Sequence, residues 1–163
     1  MSETRVKICG LTTRETAMAA VDAGAAYIGL NFFPSSPRFL SVKAARDLAV
    51  DIPPGVAKVA LTVDAEDNVL DEIVNEVPLD FLQLQGKETP QRVSELRARY
   101  GLPVMKAVGI ASADDLPSLD RFEEVVDQLL VDAKPAHDAN LPGGNGVAFD
   151  WRLIANRRWA KPW

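Results

Sequence analysis

The sequence has 163 residues, enough for one domain with a full core and too few for two comfortable ones. Its 47% hydrophobic and 25% charged residues are globular proportions and argue against disorder. A net charge of −5 argues against nucleic acid and anionic membrane surfaces as general partners, yet a small phosphorylated ligand needs only a local nest of donors.

Cys9 is the single cysteine, so an internal disulfide is excluded. The first residues, Met1 to Lys7, lead straight into a short apolar strand and lack the apolar core of a signal peptide. No run approaches the roughly 20 apolar residues that cross a bilayer. The expectation is a cytoplasmic protein without a membrane partner.

Short apolar runs alternate with helical patterns. Val6–Cys9 reads as a first strand, and Thr12 with Glu15 reads as a capping box opening a helix that stops at Gly24. Tyr27–Phe32 is a second strand; a Pro/Ser loop follows, and Ser41 caps a helix through about Val50. Val56–Leu61 is a third strand, followed by an acidic helix from near Asp64. Asp80–Leu84 is a fourth, and Thr89-Pro90 opens the helix that ends at Gly101. Pro103–Val108 is a fifth, with Ser112 and Asp115 starting the next helix. Gln128–Val131 is a sixth, and Asp150 caps a short helix after a long loop.

This spacing suits strand–helix–strand crossovers and hence a parallel sheet covered by helices. Two α/β architectures fit, a doubly wound open sheet and a (β/α)8 TIM barrel. No Gly-x-Gly-x-x-Gly follows the first strand, which weakens the dinucleotide-binding version of the open sheet. Only about six βα units are present. A seventh strand would begin near Trp159–Trp163, so residues 1–163 are expected to form a single barrel domain that is incomplete at its C-terminus. Its first and sixth strands are then expected to be unpaired edges.

Several residues could carry chemistry. Cys9 ends the first strand just before a helix start, where free N–H groups favour thiolate; position alone slightly favours the commoner fate of a free cysteine, a small buried hydrophobe. Asp132 follows four apolar strand residues, at the strand end where parallel sheets bind ligands. Arg38 sits in the second loop on the same rim, stiffened by Pro37 and suited to a carboxylate. Gly143, Gly144 and Gly146 make a loop that either surrounds an anion with N–H groups or is plain surface. Lys7 and Lys106 lie inside strands, where alternation leaves open whether each faces solvent or the barrel interior. His137 reads as solvated, and one His with one Cys makes no metal site.

Five segments in this order resemble the phosphoribosylanthranilate isomerase family, and together they cover nearly the whole chain. They are Lys7–Thr12, Ser36–Arg38, Leu82–Glu88, Leu130–Ala133, and Pro142–Gly146 followed by Phe149-Asp150-Trp151. The resemblance implies a (β/α)8 barrel and an Amadori rearrangement of N-(5-phosphoribosyl)anthranilate. It implies Cys9 as general base and Asp132 as general acid, with Arg38 on the anthranilate carboxylate and the glycine loop on the phosphate. It also implies substrate contacts from Lys7 and from Gln85, where the family usually has histidine. No cofactor is implied; the partner is the phosphorylated small molecule, and the chain acts as a monomer or homodimer. Other sugar-phosphate barrels compete, but lack their metal ligands or glutamates here. A flavodoxin-like binding or receiver module competes too, without the acidic cluster a receiver shows after its first strand.

Overall fold

The computed structural model of the chain describes residues 4–134 and 148–163. These residues fall into two compact units, Met1–Leu82 and Gln83–Trp163.

The first unit holds strands β1 (Lys7–Cys9), β2 (Tyr27–Asn31) and β3 (Ala57–Thr62), with helices α1 (Arg14–Asp22), α2 (Val42–Ala49) and α3 (Asp67–Glu76). β1 pairs parallel to β2 with Cys9 opposite Gly29, and β2 pairs parallel to β3. Every residue of β2 is buried, as a parallel strand covered on both faces requires. Ile28 and Leu30 are fully buried there, each worth about 1.5–3 kcal/mol in removed apolar surface. Strand β4 (Phe81–Leu84) begins in this unit. Its start is tied to β3, because Asp80 N donates to Lys58 O at 2.9 Å and Asp80 Oδ2 meets Lys58 Nζ at 2.7 Å.

α1 is capped by Thr13, whose side chain accepts from Thr16 N, one residue later than the expected Thr12. Its end is a Schellman turn: Gly24 has φ +86°, Gly24 N bonds Val21 O and Ala25 N bonds Ala20 O. Ser41 caps α2 as expected. α3 starts at Asp67, later than the expected Asp64, which itself takes φ +46° and ends the strand's approach.

The second unit holds the end of β4, helix α4 (Pro90–Tyr100), β5 (Val104–Ile110), α5 (Leu116–Glu123) and β6 (Gln128–Ala133). α4 has Thr89 as its cap, proline in its first turn and Gly101 at φ +63° after it. The Ser112/Asp115 capping box forms on a 3-10 turn that leads into α5. β6 pairs parallel to β5 in a register that sets Asp132 opposite Gly109. β6 extends two residues past the expected Val131, so Asp132 lies within the strand. Its other side is not wholly bare, because Leu129 N donates to Pro162 O at 3.0 Å. Glu123 holds that last segment by accepting from Ala160 N, Lys161 N and Arg157 Nη2.

Lys106 is the notable core residue of this unit, 2% exposed. Its ammonium donates to Leu84 O at 3.2 Å and Gly86 O at 2.7 Å and pairs with Glu88 Oε2 at 3.0 Å. It also stands 5.5 Å from the centre of the Phe122 ring on α5. Lys106 is therefore neither solvated nor free for chemistry; it pins the turn after β4. Among the described residues no helix is long and apolar enough to cross a membrane.

Candidate active site

In the first unit the chemistry gathers at the C-terminal end of β1. Lys7 and Cys9 are two residues apart and share one face of the strand. The neighbouring strand offers Gly29 there, and the missing side chain leaves the space they fill. A β-carbon at Gly29 would lie 2.7 Å from Cys9 Sγ and 2.8 Å from Lys7 Nζ. Lys7, half-buried, thus shares with the Cys9 sulfur the space above Gly29. A glycine inside an otherwise apolar strand is the signal of such a close approach.

The next residue, Gly10, has φ +77°, which lets the chain turn sharply after Cys9. Arg38 packs against it: a β-carbon at Gly10 would lie 2.5 Å from Arg38 Cδ and 2.9 Å from Nε. Lys7, Cys9 and Arg38 are therefore brought together at one strand end. Lys58, another strand lysine, is engaged with Asp80 and stands apart from them.

In the second unit, Asp132 is half-buried near the end of β6, and its Oδ1 accepts from Ala133 N at 2.8 Å. Gly109 stands opposite on β5, and the place of its missing β-carbon is taken by Lys134, whose Cα would lie 3.1 Å and Cβ 3.5 Å away. Gln85 follows β4 and its Oε1 accepts from Gln83 Nε2 at 2.7 Å. Gln83 is 2% exposed, and among the described residues its buried Oε1 meets no hydrogen-bond donor. Gln83 was not singled out from sequence, although a polar residue inside an apolar strand is a visible signal. Lys134, just after β6, pairs with Asp115 at 2.6 Å, and that bond holds the Asp115 carboxyl below its ordinary range. Gly143, Gly144, Gly146 and His137 lie outside the described residues.

Parallel strands each followed by a helix, with polar and ionisable side chains at their carboxyl ends, are the arrangement on which βα-barrel enzymes build their sites. The family model for N-(5'-phosphoribosyl)anthranilate isomerase matches residues 6–161. An N-(5'-phosphoribosyl)anthranilate isomerase of Cereibacter sphaeroides is 61% identical over 163 residues, which are 100% of this chain and 77% of that protein. The crystal structure of phosphoribosyl anthranilate isomerase from Thermotoga maritima is 34% identical with a TM-score of 0.82, over 93% of this chain and 70% of that one. A second structure of such an enzyme, in complex with reduced 1-(o-carboxyphenylamino)-1-deoxyribulose 5-phosphate, is 32% identical with a TM-score of 0.78, over 93% and 69%. The chain belongs to the N-(5'-phosphoribosyl)anthranilate isomerase family, and its fold is that of the (β/α)8 barrel, of which six βα units are present.

Proposed function

We propose that this isomerase of tryptophan biosynthesis converts N-(5-phosphoribosyl)anthranilate to 1-(2-carboxyphenylamino)-1-deoxyribulose 5-phosphate in the cytoplasm. Cys9 serves as general base and Asp132 as general acid. The observation that carries the reading is the joint placement of Cys9 Sγ and Lys7 Nζ over Gly29, with Arg38 against the adjoining Gly10.

The reaction opens the sugar ring and shifts hydrogen from C2′ to C1′ through an acid and a base. Asp132, protonated, gives its proton to the ring oxygen as the C1′–O bond breaks, while the anilino nitrogen lone pair forms C1′=N. The Cys9 thiolate then takes the C2′ proton, the C–H electrons become the C1′=C2′ bond, and the C1′=N pair returns to nitrogen to give an enolamine. Tautomerisation adds a proton to C1′ and removes the C2′ hydroxyl proton, leaving the C2′ ketone. Nothing is oxidised or reduced beyond the substrate itself. Lys7 attracts the anionic substrate, Gln85 supplies a side-chain contact, and Arg38 holds the anthranilate carboxylate through a forked ion pair. Gly143, Gly144 and Gly146 are assigned to the substrate phosphate, since glycine N–H groups suit an anion.

The test is growth of a tryptophan auxotroph that lacks only this isomerase, with the gene supplied in trans, alongside a direct assay of anthranilate-derivative turnover. Rescue by the parent gene and loss of rescue with Cys9→Ala is the expected result. Rescue that survives Cys9→Ala would remove Cys9 from the mechanism.

A further inference from the structure

The loop that carries Arg38 is held from inside the strand that precedes it. Asn31, 5% exposed, is an amide in the otherwise apolar β2, and both ends of its side chain are used. Oδ1 accepts from Phe33 N at 2.8 Å, and Nδ2 donates to Ser36 Oγ at 3.1 Å. Ser36, 8% exposed, also accepts from Arg38 N at 3.1 Å. Backbone bonds finish the brace: Ser36 N to Phe33 O at 2.9 Å, Phe39 N to Ser36 O at 3.1 Å, and Leu40 N back to Asn31 O at 2.8 Å. Asn31 therefore receives both ends of the loop and props its middle. An amide persists at a buried position only where its hydrogen bonds offset the lost hydration.

The Arg38 side chain itself is exposed, so its aim depends on the backbone that bears it. A side chain fixed before binding carries less ordering cost when the ligand arrives. We infer that Asn31 and Ser36 are positioning residues of the isomerase, setting the backbone so that the Arg38 guanidinium waits over Gly10 for the substrate carboxylate. The inference rests on the assignment of Arg38 to that carboxylate. Asn31 and Ser36 do not meet the substrate; they act through Arg38.

The test is a double-mutant cycle in the full chain, read as KM for N-(5-phosphoribosyl)anthranilate and as Kd for a reduced, non-reacting product analogue. Ser36→Ala is expected to raise both about five- to tenfold with kcat within about twofold, and Arg38→Ala to raise them more. Adding Ser36→Ala to Arg38→Ala should then change either constant by less than about twofold. Asn31→Asp keeps the acceptor for Phe33 N and loses the donor to Ser36. It should move both constants in the same direction, and it supplies the reading if Ser36→Ala melts too low to assay. Unchanged constants in both loop variants, beside a clear effect of Arg38→Ala, would overturn the positioning role and leave Arg38 in place. So would an equal rise from Ser36→Ala in both backgrounds, or a fall in kcat alone. A silent Arg38→Ala would overturn the inference together with the assignment it rests on.

Discussion

Arg38 and Gly10 are in contact although 28 positions separate them in sequence, and the contact depends on glycine twice over. Gly10 takes φ +77°, and a β-carbon there would stand 2.5 Å from Arg38 Cδ. Gly10→Ala should therefore cost about 1–3 kcal/mol through backbone strain and also push Arg38 aside. Denaturant unfolding and the Kd of a non-reacting substrate analogue check the two effects separately. Parent-like affinity in a folded Gly10→Ala protein would mean that Arg38 need not rest on Gly10.

Cys9→Ala and Asp132→Asn should each lower kcat by about 10²–10⁴-fold, the usual worth of a positioned acid or base. Analogue affinity should stay within a few-fold, because proton transfer is their role. Single-turnover kinetics with calorimetric binding measures both. A loss confined to affinity would reassign the residue to substrate binding.

Gly29→Ala tests the shared space above β2. Its β-carbon would meet Cys9 Sγ at 2.7 Å, Lys7 Nζ at 2.8 Å and the Cys9 Cα at 3.0 Å. The lysine tip can swing away, but the Cα cannot. β1 must shift, and a displacement of order 1 Å at a reacting group costs roughly 10²-fold in rate. The rate of Cys9 alkylation by iodoacetamide should change in the same variant. Unaltered turnover and alkylation would show that the two strands yield without moving Cys9.

Lys106 and Glu88 are a buried ion pair, with side chains 2% and 5% exposed. Lys106→Met leaves Glu88 and the carbonyls of Leu84 and Gly86 without the ammonium, and should destabilise by about 3–5 kcal/mol. Combining it with Glu88→Gln removes the carboxylate charge that has lost its ammonium, so part of the loss should return. Urea unfolding of the two variants decides this. A double variant no more stable than Lys106→Met would mean that lost packing and carbonyl contacts, not the bare charge, dominate.

Burial pushes the Glu123 carboxyl up, but hydrogen bonds from Ala160 N and Lys161 N and the Arg157 guanidinium outweigh it, leaving it below its ordinary 4.5. A carboxyl lowered in the folded state adds stability above its unfolded value and loses it as pH falls through the lowered one. Glu123→Gln should thus lose about 1.5–3 kcal/mol at neutral pH, and the gap from the parent should shrink as pH falls below the ordinary carboxylate range. Thermal melts across acid pH measure it. A gap that stays constant with pH would mean the charge contributes nothing.

Local signals were legible from the sequence wherever the chemistry itself is local. Ser41, Thr89-Pro90 and Gly101 set helix boundaries through bonds and backbone angles that span a few residues, and each stands where its type requires. Thr12 and Thr13 offer the same hydroxyl one position apart, and only the path of the preceding turn selects Thr13. β6 runs on to Ala133 because Gly109 and Ile110 of β5 continue to offer partners, which no property of residues 128–133 alone reveals. The orientation of Lys106 was equally hidden, since strand alternation gives two faces and the partner carbonyls arrive from another segment.

By itself the sequence determined the alternation of strands and helices, the six βα units and the family, because periodicity, caps and the ordered motifs from Lys7 to Trp151 are carried by neighbouring residues. It also determined which residue types were available for proton transfer. Only the tertiary structure decided that Gly29 clears the space shared by Lys7 and Cys9, that Arg38 comes back onto Gly10, and that Asn31 braces the loop between them. Those are contacts between strands and across loops, fixed by the register of β1 on β2 and by where a side chain is missing. Registers and vacancies of that kind are properties of packed pairs, and no single segment encodes them.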